Sequence, residues 1–116
     1  MAVTSTRRII NRFSTDDGGI TFQSVEEFEN VAAPGDVDVQ NLSSGANTIT
    51  PPSGAKGVTI IFPPGNEVLV TLKGVTGDTG IVLHPTAPTS IGLYSASSTF
   101  VLTAASALTG IRLIWS

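Results

Sequence analysis

The sequence predicts an all-β protein: a β-sandwich or jelly-roll-like domain preceded by an extended N-terminal arm with one short helix. Short apolar runs recur along the chain and turn-forming residues separate them, with Gly at 12 and Pro at 7 of the 116 positions. In the run Val68–Val75, the side chains of Val68, Val70 and Leu72 are expected to share one face. A period of two is the signature of a strand, and many short, evenly spaced strands favour a sandwich.

Charge divides the chain into two parts. Three of the six basic residues, Arg7, Arg8 and Arg12, lie in the first thirteen positions, and seven of the nine acidic residues lie between Asp16 and Asp38. The rest of the chain is nearly neutral. The composition therefore predicts an arm of residues 1–35 and a β-sandwich domain of residues 36–116.

The first part of the arm is compatible with two conformations. Ile9, Ile10 and Phe13 fit one side of a short helical turn, and they fit equally well an extended segment that lies across a neighbouring subunit. Residues 16–19, with the sequence Asp-Asp-Gly-Gly, are typical of a turn. A disordered start is the alternative to both, since termini are poorly ordered unless something holds them.

The second part of the arm is predicted to contain a short strand and a short helix. Ile20 and Phe22 alternate with polar residues, as in a strand. Ser24 and Glu27 match the capping box that begins a helix, and apolar residues then follow at helical spacing. We therefore predict one helix over Val25–Val31, which ends before a proline.

The body of the chain is a succession of predicted strands separated by Ser-, Gly- and Pro-rich turns. The strands are Val37–Leu42, Asn47–Thr50, Val58–Phe62, Val68–Val75, Ile81–His84, Ile91–Tyr94, Thr99–Leu102 and Ile111–Trp115, with one of the turns at Ser95–Ser98. In the last strand Ile111, Leu113 and Trp115 share a face, so we expect the C-terminal strand to be held in a sheet.

Gly74, Gly77, Asp78 and Gly80 are predicted to form a structural turn between two of these strands. Glycine reaches positive φ without steric cost, and an Asp side chain bonds to the backbone of its own turn. The glycines superficially resemble a phosphate-binding loop. That loop requires a helix to follow, and the pattern after Gly80 is not helical.

Candidate chemistry is sparse, so we expect no enzymatic activity, no metal and no cofactor. His84 is the one histidine, and it lacks the additional ligands of a metal site and the partners of a catalytic triad. Asp16 and Asp17 offer carboxylates to calcium, but they lack the ligand spacing of an EF-hand loop, and a plain turn is favoured. Tyr94, Phe100 and Trp115 are candidates for stacking on sugars, although core positions are the commoner use of such residues.

Bulk properties exclude several function classes. A net charge of −3 provides no electrostatic reason to expect nucleic-acid binding, and no apolar run is long enough to predict a membrane span. Residues 1–13 lack the apolar core of a secretory signal. Charged residues are only 13% of the chain, about half the usual share, which suggests a surface covered by other chains.

The arm is the segment we expect to bind a protein partner. Its apolar residues lie among arginines, a mixture that fits a protein surface better than nucleic acid. The residues assigned to this contact are Arg7, Arg8, Ile9, Ile10, Arg12, Phe13, Ile20 and Phe22. Because such a segment buries little apolar area by itself, residues 1–13 are expected to act in assembly and not in folding.

Two stretches of the body resemble small virion proteins of tailed bacteriophages. The first is NTITPPSGA at residues 47–55, followed by an apolar strand and PPGN at residues 63–66. The second is TLKGVTGDTGI at residues 71–81, followed by HPTAP at residues 84–88 and the closing IRLIW at residues 111–115. The resemblance covers about two-thirds of the chain, from Val37 to Trp115.

The resemblance implies a β-sandwich that decorates a phage particle. The expected role is that of a capsid decoration or cement protein, and the alternative is a tail-fibre, neck or receptor- and glycan-binding module. The implied partners are the major capsid protein or other virion proteins, together with further copies of the chain, a trimer among the options. The expected location is the virion, after synthesis in the cytoplasm of the bacterial host.

Overall fold

The computed structural model describes residues 2–94 and 99–116, and the turn predicted at Ser95–Ser98 lies outside them. The described residues contain ten β-strands and no helix, so the prediction of an all-β chain is confirmed. The strands are β1 Val3–Ser14, β2 Ile20–Ala33, β3 Asp36–Leu42, β4 Gly45–Ile49, β5 Gly57–Ile61, β6 Val70–Lys73, β7 Ile81–Val82, β8 Thr89–Gly92, β9 Phe100–Ala104 and β10 Leu108–Trp115.

The arm is a long antiparallel hairpin, which we call the hairpin arm. β1 and β2 pair only with each other, from Val3 opposite Ala33 at the base to Phe13 opposite Phe22 near the turn. The radius of gyration is 15.8 Å, against about 13 Å for a compact domain of this length. The hairpin arm therefore extends beyond the remainder of the fold.

The predicted helix over Val25–Val31 is wrong, because β2 runs through the whole segment. In place of a capping box, the Ser24 hydroxyl lies 3.4 Å from a carboxylate oxygen of Glu26. A capping interaction is worth about 1 kcal/mol, whereas pairing with β1 supplies backbone hydrogen bonds and side-chain partners along the entire segment. The non-local partner therefore overrides the local helical signal.

The body consists of two four-stranded antiparallel sheets. One has the strand order β3-β10-β5-β8 and the other has the order β4-β9-β6-β7. The pairs are nested in the sequence: β6 with β7, β5 with β8, β4 with β9 and β3 with β10. Successive pairs therefore alternate between the two sheets.

One hydrophobic core joins the two sheets. From the first sheet it takes Ile60, Ile111 and Leu113, and from the second it takes Leu102 and Val70, all of them nearly or completely buried. Trp115 is buried with Ile111 and Leu113, as their predicted shared face requires. The other predicted face is present in part, since Val70 is buried while Val68 and Leu72 are partly buried against the core. The Trp115 indole N–H donates to Oδ2 of Asp38 at 2.9 Å, which satisfies the one polar group of this side chain.

Each predicted run in the body corresponds to one strand, with shifted ends. β6 begins at Val70 and not at Val68, because the Asn66 side chain bonds to both the N–H and the C=O of Val68. Residues 63–66 form a turn closed by the Asn66 N–H on the Pro63 carbonyl at 3.2 Å. Gly65 has φ +72° there, the position that a type II turn reserves for glycine.

Candidate interaction surface

The hairpin arm has two distinct faces, which follow from its register. Side chains of paired residues point to the same side of a sheet, and successive residues point to opposite sides. One face carries Arg7, Ile9, Asn11 and Phe13 from β1, and Phe22, Ser24, Glu26 and Phe28 from β2. We call it the apolar face, since four of its eight residues are large and hydrophobic.

The outer end of the apolar face is an exposed aromatic pair. Phe13 and Phe22 lie opposite each other, with ring centroids 5.5 Å apart. They remain 63% and 50% exposed, and Ile20 beside them is 54% exposed. Monomeric proteins rarely expose contiguous apolar patches of large size. In addition, an isolated two-stranded sheet is only marginally stable in water. The cluster is therefore a candidate surface for contact with another molecule.

The opposite face of the hairpin arm is mainly charged. Arg8 and Glu27 form an ion pair at 3.3 Å, with both side chains more than half exposed. Arg12 lies opposite Gln23 on this face. Exposed pairs of this kind contribute about 0–1 kcal/mol. Ile10 and Val25 form an exposed apolar pair among these polar side chains, so this face is mixed in character.

Arg7 fixes the hairpin arm to the body. Its Nη1 donates to the Ile91 carbonyl at 2.6 Å, and its guanidinium lies 6.0 Å from the centre of the Phe28 ring. The guanidinium rests on Gly57 and Gly92, where a Cβ atom would meet it. Arg7 was assigned to partner binding, but in this structure it bonds within its own chain.

A second attachment lies at the base of β2. The Asn30 side chain is buried, donates from Nδ2 to the Gly54 carbonyl at 2.9 Å and accepts from the Ala32 N–H at 3.1 Å. Val3 packs directly over Gly35. The base of the hairpin arm is therefore part of the folded unit, and only its outer part is free of such contacts among the described residues.

The turn at the tip holds an ionised carboxylate. Asp17 Oδ1 accepts from the Thr15 hydroxyl and from the Gly19 N–H, the latter at 3.1 Å. These bonds, the Thr15 hydroxyl first, lower the pKa of Asp17 below its ordinary value of 3.8. The side chain is fully exposed, so the turn presents negative charge to solvent at neutral pH.

An open groove of about 660 Å³ lies on the body, at the edge where β7 and β8 end their sheets. Its lining is Leu72, Lys73, Gly74, Asp78, Thr79, Gly80, Ile81, Ile91, Leu93, Thr99 and Phe100. Most of these residues are apolar or glycine, and the volume lies within the range of ligand pockets. No residue of the hairpin arm belongs to the lining.

The predicted turn residues form one wall of this groove. Asp78 closes the turn in both directions: its N–H donates to the Val75 carbonyl at 3.1 Å, and its Oδ2 accepts from the Val75 N–H at 3.0 Å. Gly80 has φ +77°, and a Cβ atom there would lie 2.6 Å from the Leu72 carbonyl oxygen. Gly77 has ordinary φ and open space around it. The backbone conformation therefore requires glycine at position 80 and does not require it at position 77.

The remaining chemical candidates have structural partners. His84 Nδ1 accepts from the N–H groups of Thr86 and Ala87 at 3.1 and 2.9 Å, which ties the strand end to the following loop. No cluster of three or more metal-ligating side chains occurs in the part of the chain that the structure describes. Across residues 2–94 and 99–116 no helix is long and apolar enough to cross a membrane.

The structure divides the residues assigned to the arm. Arg8, Ile10 and Arg12 lie on the charged face, Ile9, Phe13 and Phe22 lie on the apolar face, and Ile20 lies beside the turn. Sequence reasoning missed Phe28 as a further exposed member of the apolar face, because the helical pattern was preferred. Acidic residues at 26, 27 and 29 balance the arginines at 7, 8 and 12, a signal compatible with cross-strand pairing.

The three aromatic residues considered for sugar stacking have different environments. Phe100 and Trp115 are buried in the core, with ring centroids 6.4 Å apart. Tyr94 is fully exposed at the end of β8. Trp115 is therefore unavailable to a ligand, whereas Phe100 belongs to the lining of the groove.

Comparison of the chain with protein-family models, with curated proteins and with solved structures gives no match.

Proposed function

We propose that this chain is a structural protein of a tailed-bacteriophage virion, most specifically a capsid decoration protein that stabilises the particle through protein–protein contacts. The observation that carries the proposal is the hairpin arm, whose base is built into the fold and whose outer end exposes Phe13 and Phe22. A large apolar cluster held away from the core has no role in folding the body. Its physical use is to contact another subunit.

The strand order supports the architecture proposed for the body. Four nested strand pairs that alternate between two sheets are the arrangement of a jelly roll, a fold of two packed four-stranded sheets. We propose this assignment for residues 36–116. Jelly rolls are common in capsid and lectin domains, so the fold is compatible with decoration and with glycan binding, and it does not choose between them.

The low content of charged residues supports a protein whose surface is covered by other subunits. Lys, Arg, Asp and Glu are 13% of the chain, and interface cores are depleted of such residues. Val37 and Val39 on β3 and Ile81 and Val82 on β7 are exposed in addition to the hairpin arm. Several sides of the molecule are therefore suited to contact with neighbours.

The test is attachment to heads that lack this protein. Wild-type chain should bind such heads at a fixed number of copies per particle and should raise the temperature at which they release their contents. Replacement of Phe13 and Phe22 by Ser should weaken attachment at least tenfold. No binding to heads at any concentration would overturn the proposal.

A tail-fibre, neck or receptor- and glycan-binding module is the second candidate, favoured by the fully exposed Tyr94. Aromatic side chains of this kind stack on sugars and other ligands at interfaces. This candidate predicts binding of the isolated chain to host cells or purified surface glycans, and loss of that binding in Tyr94→Ser. Binding to heads with no binding to cells would reject it.

A further inference from the structure

The outer end of the hairpin arm, residues 12–23, will be called the apex. Phe13, Phe22 and Ile20 make it an apolar protrusion, and Asp16 and Asp17 add negative charge at its turn. In the described residues no hydrogen bond joins the apex to the body. The apex therefore has the shape and chemistry of an anchor that enters a recess elsewhere.

The groove has complementary chemistry. Leu72, Ile81, Ile91 and Leu93 supply apolar surface, and its volume of about 660 Å³ accommodates several side chains. Nothing in the hairpin arm of the same chain contributes to its lining. An apolar anchor and an open apolar recess thus coexist on one molecule.

The apex of one molecule does not reach the groove of that same molecule. Ile91 belongs to the groove lining, and its carbonyl also accepts the hydrogen bond from Arg7. Phe13 lies six positions further along β1, which is about 20 Å at the rise of a strand. The apex is therefore separated along β1 from the bond that lies beside the groove, and no apex residue belongs to the groove lining. An apex that fills the groove has to come from another copy.

Charge favours the same pairing. One basic residue flanks the groove, since the Arg7 guanidinium is bonded to the Ile91 carbonyl. Lys73 belongs to the lining itself, where Asp78 is the one acidic member. Opposite charges across an interface guide the encounter and fix its register. Asp16 and Asp17 at the turn of the apex are opposite in sign to Lys73 in the groove lining and to Arg7 at its edge.

The area available is sufficient for a specific contact. At about 200 Å² per large side chain, the exposed fractions of Phe13, Phe22 and Ile20 amount to about 330 Å² for one apex. Two reciprocal contacts use about 650 Å² of apolar surface, and interfaces are about 60% apolar. Complete burial of these side chains would imply a total of about 1,100 Å², close to the roughly 1,000 Å² expected of a biological interface.

We propose that the apex of each copy seats in the groove of a second copy, so that two hairpin arms run side by side in opposite directions. Each groove lies at the base of its own protruding apex, so a two-fold axis makes both contacts at once. This inference rests on the proposed function in one respect: the subunit that Phe13 and Phe22 contact is a second copy of the chain, and the resulting pair attaches to the particle through its other exposed surfaces. The groove is thereby assigned as a binding site for an aromatic hairpin of the same chain.

Disulfide trapping tests the contact directly, since the chain has no cysteine of its own. A variant with Ser14→Cys at the apex is mixed with a second variant with Thr79→Cys in the groove. The control partner carries Thr48→Cys, which is exposed on β4 in the other sheet. A disulfide that forms in the first pair and not with the control partner supports the proposal. Equal trapping by the control, or trapping of apex to apex alone, overturns it.

Solution association provides the second test. The wild-type chain should sediment as a species of about 24 kDa, twice the 11.9 kDa of one chain. Ser at both Phe13 and Phe22 should raise the dissociation constant at least tenfold. Ser at both Val37 and Val39, which are comparably exposed on β3, should leave it within twofold. A wild-type chain that stays monomeric at every concentration overturns the proposal.

Charge reversal adds a test whose expected result differs from that of a folding defect. Asp16→Lys and Lys73→Asp should each weaken association several-fold, most strongly at low salt. A mixture of the two variants should recover part of the affinity, because each reversed apex then meets a reversed groove. Equal weakness in the mixture overturns the assigned contact. Attachment to heads is measured separately, so failure here leaves the virion proposal with its own result.

Discussion

Three glycines in turns of the body provide a graded test of the backbone geometry. Gly80 has φ +77° and no room, since a Cβ atom would lie 2.6 Å from the Leu72 carbonyl oxygen. Gly65 has φ +72° with nothing within 4 Å, and Gly77 has ordinary φ with the same open space. Substitution by Ala therefore separates the cost of positive φ from the cost of the clash.

The left-handed region costs an L-residue about 1–2 kcal/mol, and forcing a methyl group into packed surroundings costs about 1–3 kcal/mol. Gly80→Ala should therefore lose about 2–5 kcal/mol of unfolding free energy, and Gly65→Ala about 1–2 kcal/mol. Gly77→Ala should be neutral, or more stable by about 0.4–1 kcal/mol through a less flexible unfolded chain. For a chain of this length, Gly80→Ala should lower Tm by about 10–25 °C.

Urea unfolding followed by tryptophan fluorescence is the measurement, because Trp115 is the one tryptophan and is 2% exposed in the core. The urea midpoint should be highest for Gly77→Ala, lower for Gly65→Ala and lowest for Gly80→Ala. The dependence of the unfolding free energy on urea concentration should be similar in all three variants. Equal midpoints for the Gly80 and Gly77 variants would refute the backbone argument. Equal midpoints for the Gly80 and Gly65 variants would refute the argument from the clash and leave the argument from positive φ intact.

The remaining predictions concern the hairpin arm. Replacing residues 9–26 by an Asn-Gly turn joins two positions that are already paired across the hairpin, and it should leave the unfolding free energy of the body within about 0.5 kcal/mol, as for other surface changes. Asn30→Ala, which breaks a buried hydrogen bond at the base, should lower the unfolding free energy by about 1–3 kcal/mol. If urea unfolding shows a larger loss for the 9–26 replacement than for Asn30→Ala, the distinction between an anchored base and a free outer part is wrong. Asp17 should titrate by NMR below 3.8, so its contribution to the turn is present above that pH and is lost as pH falls through the lowered pKa. Thr15→Val should raise this pKa, and an unchanged titration would show that the Thr15 hydroxyl is not its cause.

The body shows how far local pattern reaches. Apolar runs bounded by turn residues identified the eight strands, and alternation identified the buried face of Ile111, Leu113 and Trp115, because one buried face imposes a period of two on the sequence. Strand ends were less accurate, since side chains such as Asn66 replace ladder hydrogen bonds with their own. The sequence also identified turns such as those at residues 16–19 and 63–66, whose glycines and prolines restrict the backbone within a few residues.

Contacts between distant residues were decided only by the tertiary structure. Residues 24–31 carry a helix signal of about 1 kcal/mol, yet pairing with β1 makes them a strand. The bond from Arg7 to Ile91 spans 84 positions, and nothing in the sequence near either residue encodes it. The sequence by itself determined which segments are strands and which faces are apolar, because these depend on neighbours in the chain. The partner of each strand, the anchoring of the hairpin arm and the groove depend on the geometry of the packed sheets, which no local pattern contains.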